Sequence, residues 1–238
     1  MTKSNPVQPR ENHLEFDEIL RRLKSLSNPS AIAGMERFGI TPGKTFGVGI
    51  PPLRALAKEI GKNHSLAARL WNENIRETRI LASMIDDPKQ LTEAQMSSWV
   101  VGFDYWEICD QCIMNLFEKS PLAWQKAIEW AERPEEFVRR AGFVLMARLA
   151  VSDKKAKDED FAPFWELIEK YADDERNMVK KAVNWALRQM GKRNLALNRQ
   201  ALDLSRKLVQ SGSKSGRWIA SDALRELQND YVQRRIRK

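Results

Sequence analysis

The sequence predicts an all-α chain, an α-solenoid of about six helix pairs, and three observations carry that prediction. Apolar residues recur at three- and four-residue intervals in about a dozen segments, each running about 10 to 18 residues before a breaker, with no convincing alternating strand pattern among them. One segment also repeats: Val138-Arg139-Arg140-Ala141-Gly142-Phe143-Val144-Leu145-Met146 lines up with Val179-Lys180-Lys181-Ala182-Val183-Asn184-Trp185-Ala186-Leu187 at a spacing of 41 residues. Third, 238 residues with 42% hydrophobic and 30% charged, 11 Gly and 10 Pro, exclude a disordered or collagen-like chain. A chain of this length can bury about 70% of the surface that it exposes unfolded.

Residues 1–12 are polar and are expected to form a flexible tail, followed by a single helical repeat domain over 13–238. Leu14, Ile19, Leu20, Leu23 and Leu26 make the first helical stripe, and Ser27-Asn28-Pro29 stops it. Pro51 and Pro52 are placed to open a helix with a stripe of Leu53, Leu56, Ala57 and Ile60, and Gly61 to close it. Thr92-Glu93-Ala94-Gln95 reads as a capping box ahead of Met96, Trp99 and Val100, because hydroxyl and amide can satisfy each other's orphan N–H groups. Ser120-Pro121 and Arg133-Pro134-Glu135-Glu136 open the next two helices. A period of about 40 residues is that of HEAT-type helix pairs, and Ala223-Leu224-Arg225 echoes Ala186-Leu187-Arg188 as a further unit. Stacked pairs bury faces that one pair could not cover, and the stack curves. Its concave face is expected to be basic, with Arg139-Arg140 and Lys180-Lys181 at matching places on successive units.

Charge narrows the partners. The formal net charge is +8, and between Arg176 and Arg217 eleven bases face Asp203 as the sole acid. The excess therefore lies in one stretch, which points to nucleic acid. No apolar run approaches the roughly 20 residues that cross a bilayer, and the start lacks a secretion signal, so a cytoplasmic protein without a membrane partner is expected. Cys109 and Cys112 are too few for a disulfide framework, and with His13 and His64 isolated they assemble no four-ligand zinc site. Neither metal nor cofactor is expected, and a monomer is.

Gly43-Lys44-Thr45 resembles the end of a phosphate-binding loop, but Phe38 stands where the pattern needs its first glycine. Trp106 and Asp110 are four residues apart and share one helix face. An aromatic plate beside a carboxylate suits a sugar, although spacing alone favours a core indole next to a solvated acid, since eight Trp must mostly be core. Lys181, Trp185 and Arg188 follow at four- and three-residue steps, offering phosphate partners with an aromatic between them. A buried indole flanked by solvated bases would give the same spacing.

These residues, taken in order, resemble the AlkD-like DNA alkylation-repair glycosylases, which are built from HEAT-like repeats. The resemblance runs from about Phe38 to Leu227. It rests on Phe46-Gly47-Val48-Gly49-Ile50-Pro51-Pro52-Leu53-Arg54, on the Trp106 and Asp110 pair, on Arg140 within Val138-Arg139-Arg140-Ala141, and on Lys181-Ala182-Val183-Asn184-Trp185-Ala186-Leu187-Arg188. Tyr105 and Glu107 stand where well-studied members carry Trp and Asp, and Phe38 where a Tyr is expected near the DNA. The resemblance implies hydrolysis of the N-glycosidic bond of cationic alkylpurines, such as N3-methyladenine and N7-methylguanine, in duplex DNA, leaving an abasic site. In that reading Asp110 stabilises the sugar cation and orients water, Trp106 and Trp185 flank the deoxyribose, and Arg140, Lys181 and Arg188 hold phosphates. A non-catalytic binder of damaged or branched DNA and a protein-binding solenoid are the competing classes.

Overall fold

The computed structural model describes residues 15–237, so the expected tail over residues 1–12, with His13 and Leu14, lies outside the described residues. Among the described residues the secondary structure is entirely helical, as the periodicity predicts, and falls into two compact units.

One unit takes the described residues up to Met35 together with Gly43–Asp86. It contains α1 (Phe16–Ser25), α2 (Pro29–Met35), α3 (Ile50–Ile60), α4 (His64–Asn72) and α5 (Arg76–Ile85). Helix α1 stops just before Ser27-Asn28-Pro29, and α3 carries Pro51 and Pro52 in its first turn and ends on Gly61 at φ +73°. The loop entering α3 is fixed by Glu77, fully buried, whose carboxylate accepts from the Thr45 hydroxyl (2.8 Å) and the Phe46 and Val48 amides (2.9 and 3.0 Å). Arg76 donates to that carboxylate and to the Val48 carbonyl. Gly47 makes this closeness possible, because a Cβ there would lie 2.4 Å from the Asn28 carbonyl oxygen. The Gly43-Lys44-Thr45 stretch thus belongs to a structural loop.

The other unit takes Glu36–Pro42 and everything from Asp87 on. Its helices are α6 (Glu93–Val100), α7 (Trp106–Asn115), α8 (Ala123–Ala131), α9 (Glu136–Ser152), α10 (Ala162–Lys170), α11 (Asn177–Gly191), α12 (Leu195–Val209), α13 (Lys214–Leu227) and α14 (Asp230–Ile236). Thr92 caps α6 through its hydroxyl, which accepts from the Gln95 amide at 3.1 Å. Helices α7, α9, α11 and α13 pack side by side as one layer, and α8, α10 and α12 form a second behind them. The repeat lies in register: Val138, Ala141, Leu145 and Met146 of α9 and Val179, Ala182, Ala186 and Leu187 of α11 are all buried. Helix α9 is buried on nearly every side, which is why its sequence shows little amphipathic contrast. Among the tryptophans the expectation of a mostly core population is met only by Trp71, Trp99 and Trp130, while Trp106, Trp124, Trp165 and Trp185 are half-buried and Trp218 is exposed. No helix among the described residues is long and apolar enough to cross a membrane.

Candidate active site

Helix α7 opens with Trp106 in its first turn, because Tyr105 just before it has extended backbone and a buried ring that pins the entry. One turn on, the same face presents Asp110. The Trp106 indole is half-buried and its N–H donates to the Phe38 carbonyl at 2.7 Å. Gly39, next in the chain, turns at φ +68°, and a Cβ there would sit 3.7 Å from the indole and 3.3 Å from the Met178 methyl. The Glu36–Pro42 segment therefore lays its backbone along the Trp106 edge. The Phe38 ring itself stands 69% exposed.

Asp110 is only 7% exposed and faces Arg140 of α9, which is 6% exposed. The guanidinium closes on the carboxylate with two parallel bonds, Nε to Oδ1 at 3.0 Å and Nη2 to Oδ2 at 2.8 Å, and its Nη1 donates to the Met178 carbonyl of α11 at 2.8 Å. Three neighbouring helices of one layer thus meet at this pair. Burial pushes the Asp110 carboxyl above its ordinary range, the Arg140 charge pulling it back only in part. Burial works against the Arg140 charge as well, but Asp110 beside it outweighs that and holds the guanidinium more firmly protonated. Each carboxylate oxygen keeps a second lone-pair site beyond the one that Arg140 uses. A buried carboxylate with an upward-shifted pKa beside an aromatic plate is a candidate functional group.

The sequence assigned Arg140 to a phosphate. The structure instead spends its donors on Asp110 and Met178, because the residue lies in the packed seam between α7 and α11 and not on an open face. Lys181, one turn beyond Met178 region on α11, is exposed and makes no ion pair among the described residues. Trp185 is half-buried on the same helix. Arg188, two turns past Lys181, pairs with Glu226 of α13 and lies 3.6 Å from Asp222, so its charge is already neutralised within the fold. Glu226 also takes Lys192 at 2.5 Å. The structure accordingly brings Trp106, Asp110 and Arg140 together and leaves Lys181 open, while Arg188 is engaged elsewhere.

Cys109 and Cys112 are fully buried, and burial raises the Cys109 thiol well above its ordinary value, the neighbouring Asp110 charge adding to the effect. Both are packing groups in the layer. No group of three or more His, Cys, Asp or Glu that could hold a metal ion occurs among the described residues. Sequence reasoning missed the Phe38 carbonyl and the Met178 carbonyl, since a backbone oxygen carries no sequence signal. It also missed the difference between Arg139 and Lys180: Arg139 pairs at 2.9 Å with Asp174, which lies in the loop between α10 and α11, and sits over the Tyr171 ring, a contact that only helix packing creates.

Residues 19–229 match the family described as DNA alkylation repair enzyme. Uncharacterized proteins of Listeria monocytogenes and Listeria innocua are similar at 23% and 24% identity over 134 residues, which is 55% of this chain. The match spans 60% of the length of each of those relatives. A solved structure, described as a new family of proteins related to the HEAT-like repeat DNA glycosylases with affinity for branched DNA structures, superimposes with a TM-score of 0.79 over 94% of this chain and 96% of that one, at 19% identity. That likeness establishes a HEAT-like repeat fold.

Proposed function

The chain belongs to the DNA alkylation repair enzyme family, and on that footing we propose that it is a DNA glycosylase, hydrolysing the N-glycosidic bond of cationic alkylated purines in duplex DNA. The observation that supports this reading is the Asp110 carboxylate, oriented by Arg140 and set one turn from a half-exposed indole. A purine carrying an extra alkyl group at N3 or N7 is already cationic. When its bond to the sugar breaks, the electron pair leaves with the base, which departs neutral and needs no proton from an acid. Positive charge gathers on the deoxyribose instead, as in other glycosyl hydrolyses. Asp110 stabilises that charge electrostatically, and its free lone pairs hold the water that forms the new C–O bond and gives up a proton to solvent. The Trp106 face packs on the sugar, its tilt set by the Phe38 carbonyl. Arg140 is a positioning residue for Asp110, Lys181 takes a phosphate, and Trp185 packs beside the backbone that Lys181 holds. Arg188 contributes to phosphate only by leaving Glu226.

The test is base release from duplex DNA containing N7-methylguanine, wild type beside Asp110→Asn. Release should fall by roughly 10²-fold or more, the scale of losing a preorganised charge from a water-poor site. Equal release by both proteins would remove Asp110 from the chemistry. A second reading, a non-catalytic binder of branched DNA, is favoured by one observation, that Arg140 already neutralises Asp110. It predicts no base release from the wild type, with affinity for a branched junction above that for the same sequence as duplex.

A further inference from the structure

The repeat uses one device twice and leaves it unfinished the second time. In α9, Arg139 lies over the Tyr171 ring, 4.1 Å from its centre, and is neutralised by Asp174; the Tyr171 hydroxyl in turn donates to Glu132 at 2.6 Å. One repeat on, Lys180 of α11 lies over the Trp218 ring of α13 at 5.1 Å. Here no carboxylate follows. Lys180, Lys181, Lys214 and Arg217 make no ion pair among the described residues, and the Arg217 guanidinium donates to the Gly212 carbonyl. Asp222, one turn beyond Trp218 on α13, is taken up by Arg188 and Arg225. Trp218 is 42% exposed, and Lys214 lies one turn before it on the same helix face.

The Trp218 indole carries the Lys180 ammonium over its ring and keeps 42% of its surface exposed, which suits a flat partner bearing negative charge. In the Arg139 copy the fold supplies the negative charge and the ring is closed off. In the Lys180 copy no carboxylate among the described residues pairs with the lysine and the ring is exposed. We infer that Trp218, with Lys180 and Lys214, is a stacking platform for an unpaired nucleotide of a single-stranded or branched segment of DNA. The base lies on the indole and the flanking phosphates meet the two lysines, the combination by which single strands are held without sequence preference. A duplex offers no free base face, so this site adds affinity only where a strand is open. The inference rests on the nucleic-acid-binding part of the function proposed above and is independent of the Asp110 chemistry.

The experiment measures binding of the full chain to a thymidine-rich single strand, a three-way junction with an unpaired arm, and a plain duplex, for wild type, Trp218→Ala, Trp218→Phe and Lys214→Gln. Trp218→Ala should lose roughly tenfold on the single strand and the junction, in the range that one base–aromatic stack contributes, and less than about twofold on the duplex. Trp218→Phe should recover most of that loss, since a smaller ring still stacks. Lys214→Gln should lower the log–log salt slope on the single strand by about 0.7. Unchanged single-strand affinity in Trp218→Ala, or an equal loss on duplex, overturns the platform. Base release by Trp218→Ala at the wild-type rate, together with the single-strand loss, supports it. Absence of base release in every protein would count against the glycosylase and leave the single-strand comparison to decide the platform on its own.

Discussion

Arg140 reaches from α9 to grip both oxygens of Asp110 on α7 at 2.8 and 3.0 Å, so a cation that a sequence reading would give to DNA is the partner of the candidate catalytic acid. A bidentate guanidinium fixes the plane of a carboxylate as well as its charge. The carboxylate is thereby held in one orientation, with its unused lone pairs facing away from Arg140.

Removing that grip should be visible in two measurements. Arg140→Gln leaves Asp110 buried without a counter-charge, and unfolding in denaturant should show a loss of about 3–5 kcal/mol. In the wild type, base release should rise with pH as the Asp110 carboxyl ionises above the ordinary carboxylate range. Without the Arg140 charge that rise should move to higher pH. A purely structural role for Arg140 would change the unfolding curve and leave the pH profile in place.

Gly142 is the closest approach in the repeat. A Cβ there would lie 2.4 Å from the Ala131 amide nitrogen and 2.8 Å from the Ala127 carbonyl oxygen, both backbone atoms of α8 that cannot rotate away. Gly142→Ala should therefore push α8 and α9 apart and lower stability by about 2 kcal/mol or more, despite the better helix propensity of alanine. Chemical denaturation compared with Gly43→Ala, where a Cβ meets nothing, makes the measurement internally controlled.

The salt dependence of duplex binding should separate two bases of α11 that a sequence treats alike. Lys181 is exposed and makes no ion pair among the described residues, so Lys181→Ala should lower the log–log slope by about 0.9. Arg188 is held by Glu226, and Arg188→Ala should lower it by clearly less. Equal decrements for the two variants would mean that Arg188 leaves Glu226 when DNA binds.

Acid should unfold the chain through its paired carboxylates. Asp174 is held below its ordinary range by Arg176 and Arg139 against the effect of burial, and Glu226 by Lys192 and Arg188 in the same way. A lowered folded pKa stabilises the fold above the unfolded value, about 4, and that contribution disappears as pH falls through the folded pKa. Asp110 has the opposite sign: its raised pKa contributes below the unfolded value and is lost as pH rises through the folded one. Melting temperatures should thus drop steeply below about pH 4, and Glu226→Gln should flatten that drop.

The helical fold was legible because apolar spacing and helix punctuation are local. Pro51 with Pro52, Thr92 with Gln95, and the Val138 and Val179 segments each announce an element without reference to the rest of the chain. The site was legible only in part. Trp106 and Asp110 share a helix, so their proximity follows from a spacing of four, whereas Arg140 meets Asp110 across two helices. Which cation pairs with which acid depends on helix packing, and neither the Arg140 nor the Arg188 partner can be read from residue order. The same holds for Trp218, whose neighbour Lys180 lies on another helix.

The Glu36–Pro42 stretch has a consequence for dissection of the protein. It sits with the Asp87-onward helices although the chain on both sides of it belongs elsewhere, and its Phe38 carbonyl is what the Trp106 indole holds. A fragment starting at Asp87 would retain the Asp110 and Arg140 pair and lose the strut of its aromatic neighbour. No single cut therefore isolates the unit that holds the candidate site, and a fragment or a domain swap that respects the site must carry the seven residues Glu36–Pro42 along with it.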